Sequence, residues 1–99
     1  MLNHVALLTF KDELPDSDRR IAAVKLKSGL EDLSGKVDGL LEIKVESILL
    51  ESSTADIALF CKLENEQALK NLQTTPLLFN FKSVIDTYLS RIHTASYYS

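Results

Sequence analysis

Two apolar segments separated by a polar break constrain this fold more than any other part of the chain. Residues 40 to 63 read LLEIKVESILLESSTADIALFCKL. In the first half Leu41, Ile43 and Val45 alternate with Glu42, Lys44 and Glu46, the period-two pattern of a strand with one dry and one wet face. Glu51-Ser52-Ser53-Thr54 interrupts the pattern with no apolar residue. The chain returns as Asp56 to Leu63, with Ile57, Leu59, Cys61 and Leu63 on one face and Ala58 and Phe60 on the other. The reading is a pair of antiparallel strands, the second apolar on both faces and therefore central in its sheet. Such a sheet needs a cover on each side.

The rest of the chain supplies one of those covers. Leu2 to Phe10 reads as a first strand, with His4, Ala6, Leu8 and Phe10 on one face and Val5, Leu7 and Thr9 on the other, again expected to be buried on both sides. Pro15 followed by Asp16-Ser17-Asp18 predicts an N-cap and an acidic first turn. The helix so opened runs to about Leu33 and carries Ile21, Val24, Leu26, Leu30 and Leu33 near helical spacing. Gly29 inside it costs about 1 kcal/mol against alanine, which points to a bend or close packing. Ser34-Gly35-Lys36 and Gly39 punctuate the approach to the second strand. Glu64-Asn65-Glu66-Gln67 opens a second helix, with Asn65 or Glu64 as cap and Ala68, Leu69 and Leu72 as inner stripe. Thr74-Thr75-Pro76 breaks it. A third helical piece spans about Leu77 to Leu89, and Arg91 to Tyr98 reads as a last strand.

The order β-α-β-β-α-α-β is that of the ferredoxin-like split βαβ, an α+β fold with an antiparallel sheet, here one domain over residues 1–99. Its helices lie on one sheet face, which leaves Val5, Leu7, Ala58 and Phe60 uncovered. An exposed apolar patch of this kind is an interaction site. A second copy of the chain closes it with two-fold symmetry, so a homodimer with the two sheets facing each other is expected. The formal net charge of −3 argues against nucleic acid or an anionic membrane as partner. The basic residues are scattered apart from Arg19-Arg20 and Lys25/Lys27. Cys61 is alone, so no disulfide forms within the chain, which fits the cytoplasm. Strand-like residues follow Met1 directly, with no signal-peptide pattern, and no apolar run reaches the ~18 residues of a membrane span.

Several short motifs resemble one family. His4-Val5-Ala6-Leu7-Leu8-Thr9-Phe10-Lys11 resembles the opening strand of the stress-responsive A/B barrel (Dabb) domains. Gly35-Lys36-Val37-Asp38-Gly39-Leu40-Leu41 is similar to that family's Gly-Lys-Ile-Pro-Gly-Ile segment, and Asp56-Ile57-Ala58-Leu59 through Glu64-Asn65-Glu66-Gln67-Ala68-Leu69 to its third strand and helix start. Pro76 falls where the family has a His-Pro pair. The resemblance implies a dimeric α+β barrel. It also implies comparison with the family's polyketide cyclases, whose chemistry centres on a tyrosine and a histidine with a first-strand histidine nearby. Carried over by position, only His4 survives: the tyrosine is Leu72, the histidine of the pair is Thr75, and the following catalytic histidine is Leu78. Leucine neither takes nor gives a proton, so that acid–base pair is absent.

His4 is the one candidate general base, set against the plainer role of a strand histidine hydrogen-bonded to its surroundings. Cys61 on an apolar face reads as a buried, inert thiol. His93 has no second ligand at recognisable spacing, and neither a metal nor a cofactor is expected. Tyr88, Tyr97 and Tyr98 suit an interface or a pocket wall. Two readings follow. In the first, the chain is a non-catalytic dimeric barrel, empty or holding a small neutral apolar ligand between helices and sheet, against Ala6, Leu8, Ile57, Leu59, Leu72, Leu78 and Phe81. In the second, it is a cofactor-independent cyclase, isomerase or oxygenase that uses His4.

Overall fold

The alternating strands and amphipathic helices assemble as their order requires. The computed structural model describes all residues, Met1 to Ser99. Strands β1 (Leu2–Phe10), β2 (Leu40–Glu46), β3 (Ile57–Leu63) and β4 (Leu89–Tyr98) form one antiparallel sheet in the order β2-β3-β1-β4. Helices α1 (Asp16–Glu31), α2 (Glu66–Thr74), α3 (Pro76–Asn80) and α4 (Lys82–Tyr88) complete the ferredoxin-like α+β fold. The two strands expected at the centre are central.

The core lies on the helix side of the sheet. Leu2, Ala6, Leu8 and Phe10 of β1 meet Ile57, Leu59, Cys61 and Leu63 of β3, with Ala22, Leu26 and Leu30 of α1 above them. Ile21 and Val24 are exposed, against expectation. The stripe is set instead by Ala22, Leu26 and Leu30, at four-residue spacing, so the two β-branched residues lie on the outer face. Gly29 faces the Phe81 ring so closely that an added Cβ would lie 2.7 Å from Cζ. Close packing, not a bend, is the reason for glycine there.

Local chemistry fixes the remaining boundaries. The residue at the N-cap of α1 is Pro15, with no side-chain cap bond, and Asp16 and Asp18 sit in the first turn, where they favour the positive helix end. The side chain of Asn65 caps α2, its Oδ1 accepting from Ala68 N–H at 3.0 Å. Pro76 opens α3, and the third helical piece divides at Phe81 into α3 and α4. Gly39 turns the chain into β2 with φ of 84°, a conformation that side chains disfavour, and its position against Ala68 leaves no room for one.

Two expectations about the strands need correction. Leu41 is 51% exposed, because the register with β3 shifts between Leu40 and Glu42. Leu40 takes the inward place beside Leu63, and Leu41 is the extra residue of a bulge. In addition, β1 and β3 are buried fully on the helix side only within one chain: Leu7 is 41% and Phe60 44% exposed. The second cover is missing. The edge strand β2 is nevertheless blunted at Val45, whose N–H donates to Glu31 Oε2 at 3.0 Å and whose carbonyl accepts from Lys27 Nζ at 2.7 Å. These side chains occupy the groups that a further strand would need.

Candidate functional site

The uncovered sheet face is organised by register. Val5 lies directly opposite Phe60, and Leu7 opposite Ala58. On the other side of β1 the same residues face Ala95 and His93 of β4. Cross-strand partners share a face, so these six side chains form one patch across three strands. Val5 is half-buried and Ala58 is buried, at 5% exposed, while Leu7 and Phe60 are exposed. Around this centre the face becomes charged. Lys44 pairs with Glu46 at 3.0 Å and Lys62 with Glu42 at 3.5 Å. An apolar centre with a polar rim is the anatomy of a protein–protein interface. Ala95 and His93 escaped the sequence reading because pairing between β1 and β4 is a tertiary fact.

His4 faces the opposite, helix-covered side and is the one polar residue of the buried set. Its Nδ1 lies 2.7 Å from Ser96 Oγ on β4, the residue directly opposite it. Burial pushes the imidazole below its ordinary pKa, so it is neutral near pH 7. No carboxylate hydrogen-bonds or pairs with it. Cys61, opposite His4 on β3, is 3% exposed, and desolvation pushes its thiol up to about 12. No group of three or more His, Cys, Asp and Glu side chains is gathered in a way that could hold a metal ion.

The residues expected to line an apolar cavity between helices and sheet lie on the helix-covered side. Ala6, Leu8, Ile57, Leu59 and Leu72 belong to the buried core, and Leu78 and Phe81 pack against it. Leu78 and Phe81 also border two concavities of the helical layer, of about 270 and 210 Å³. A larger concavity lies elsewhere, at the corner where the β2–β3 connection folds over β1 and α1. It is an open recess of about 420 Å³ bordered by Phe10, Ala23, Ile48 and Leu50, with Arg19 and Arg20 among its lining. Asp56 anchors the corner: its N–H donates to the Leu8 carbonyl, and its Oδ2 accepts from Phe10 N–H, both at 2.9 Å.

Arg19 is part of the same corner. Its Nε donates to the Leu14 carbonyl at 2.9 Å and an Nη2 hydrogen to Lys11 O at 3.1 Å. The guanidinium lies 5.6 Å from the Phe10 ring centre, with Nη1 3.8 Å from Asp56 Oδ1. Arg20, by contrast, is exposed and enters no ion pair or side-chain hydrogen bond. The Arg19-Arg20 doublet and the apolar run Ile48-Leu49-Leu50 were visible signals. Only the fold brings them together.

A four-stranded antiparallel sheet with helices against one face and an apolar patch on the other defines a ferredoxin-like domain of the α+β barrel class. The chain belongs to the stress responsive A/B barrel domain (Dabb) family, whose profile it matches over residues 2–98. Among solved structures it is similar to a dimeric Bacteroides fragilis protein of unknown function with a ferredoxin-like fold. That likeness has a TM-score of 0.92 at 19% identity, covering 99% of this chain and 95% of that one. A dimeric ferredoxin-like protein of unknown function from Thermobifida fusca aligns with a TM-score of 0.78 at 18% identity, over 99% and 90% of the two chains. An antibiotic biosynthesis monooxygenase aligns with a TM-score of 0.77 at 11% identity, over 100% and 98%. At these identities the likeness establishes the fold. No curated protein matches the sequence.

Proposed function

We propose that residues 1–99 are a single Dabb domain that works as a non-catalytic homodimer, with the face of Val5, Leu7, Ala58 and Phe60 as its interface. The observation that carries this reading is that face itself, apolar at its centre, bordered on its β2 side by ion pairs and left without a cover by its own chain. Two supports stand beside it. Glu31 and Lys27 occupy the edge of β2 at Val45, which disfavours association by strand addition there. The Bacteroides fragilis and Thermobifida fusca relatives are described as dimeric. The lone buried thiol fits a cytoplasmic setting. Sedimentation velocity over a concentration series tests the assembly: a species of twice the chain mass is expected, and a monodisperse monomer overturns it.

One observation favours a second reading, that of a small-molecule enzyme. His4, neutral and 2.7 Å from the Ser96 hydroxyl, has the form of a base held by a partner. Against it, the other family positions are Leu72, Thr75 and Leu78. Turnover of a polyketide or phenolic substrate that vanishes in His4→Gln while the dimer persists would favour catalysis.

A further inference from the structure

The corner cavity combines features that the non-catalytic reading leaves unused. Ile48 is 93% and Leu50 80% exposed, although both line a concavity whose floor is Phe10 and Ala23. Its volume of about 420 Å³ falls within the usual range for small-molecule sites. Arg20 brings a full set of guanidinium donors to the same wall with no partner in the chain. Arg19 is committed to the backbone through Nε and Nη2, and Asp56 offsets its charge. The free cationic group is therefore Arg20.

We propose that this cavity binds a small monocarboxylate with an apolar tail, the carboxylate on Arg20 and the tail covering Phe10, Ala23, Ile48 and Leu50. A planar guanidinium matches a carboxylate with two parallel hydrogen bonds, a geometry that an ammonium does not offer. The tail removes from water the apolar surface that Ile48 and Leu50 now present to it. Glu51 lines the same cavity, so a ligand with a second negative charge, such as a phosphate ester, meets that carboxylate and is less favoured than a monoanion. This class differs from the neutral ligand expected between helices and sheet, because this concavity lies beside arginines.

Titration of the ¹⁵N-labelled full chain with hexanoate, and separately with hexanamide, tests the assignment. Hexanoate is expected to shift the amides of Phe10, Ala23 and the 47–53 segment and to bind about tenfold or more tightly than the neutral amide. Arg20→Gln, at an exposed and unbonded position, should remove that preference while leaving the melting temperature in place. Leu50→Ser should weaken both compounds alike. Equal binding of acid and amide to the unmutated protein overturns the proposal, as do shifts confined to other residues, an unchanged preference in Arg20→Gln, or no shifts at millimolar ligand. Sedimentation of the same samples measures the oligomeric state separately.

Discussion

Truncating Phe60 probes the uncovered face most directly, because the same side chain has different surroundings in the monomer and in the proposed dimer. Phe60 is 44% exposed in the single chain. A phenylalanine carries on the order of 200 Å² of buriable surface, so about 90 Å² remains for a partner to cover. At about 25 cal/mol per Å² this contributes about 2 kcal/mol per protomer. A two-fold interface uses the residue twice, which makes about 4 kcal/mol and about a thousandfold in the dissociation constant. Phe60→Ala should therefore shift the dimer equilibrium far more than it shifts folding of the chain. Sedimentation equilibrium gives the first quantity and denaturation of the dilute protein the second. An unchanged dissociation constant in Phe60→Ala refutes the assignment of this face, whatever the oligomer.

Other substitutions test the fold and the histidine. Gly29→Ala places a Cβ against the Phe81 ring and should destabilise by about 1–2 kcal/mol in urea denaturation. The same change in a Phe81→Leu background should be neutral or stabilising, since helix propensity then acts without the clash. Because burial lowers the folded pKa of His4 below 6.5, the unfolded chain takes up a proton that the folded chain refuses as pH falls. Stability should be fully present above pH 6.5 and decline below it, and His4→Gln should flatten that slope. Cys61, with its thiol pushed up to about 12, should resist iodoacetamide at pH 8 until the protein is unfolded, as mass spectrometry will read.

Much of the fold could be read from periodicity, because strand and helix patterns depend on neighbours in sequence. The alternations around Ile43 and Leu59, the Asn65 cap and the break at Pro76 all act within a few residues, and each appears where its local chemistry puts it. The need for a second cover was also legible, since a strand that carries Phe60 opposite Leu59 and Cys61 cannot satisfy both faces with helices on one side. Tertiary structure decided the rest. The bulge at Leu41 depends on where β2 meets β3, and the outward placement of Ile21 and Val24 depends on how α1 is rotated over the sheet. Leu72 joins the buried core and Leu78 packs against it because they meet apolar neighbours from distant strands, a matter of volumes in three dimensions. Arg20 and Leu50 lie thirty residues apart in sequence, and no local rule makes them neighbours. They share a cavity because Asp56 ties the β2–β3 connection to the end of β1.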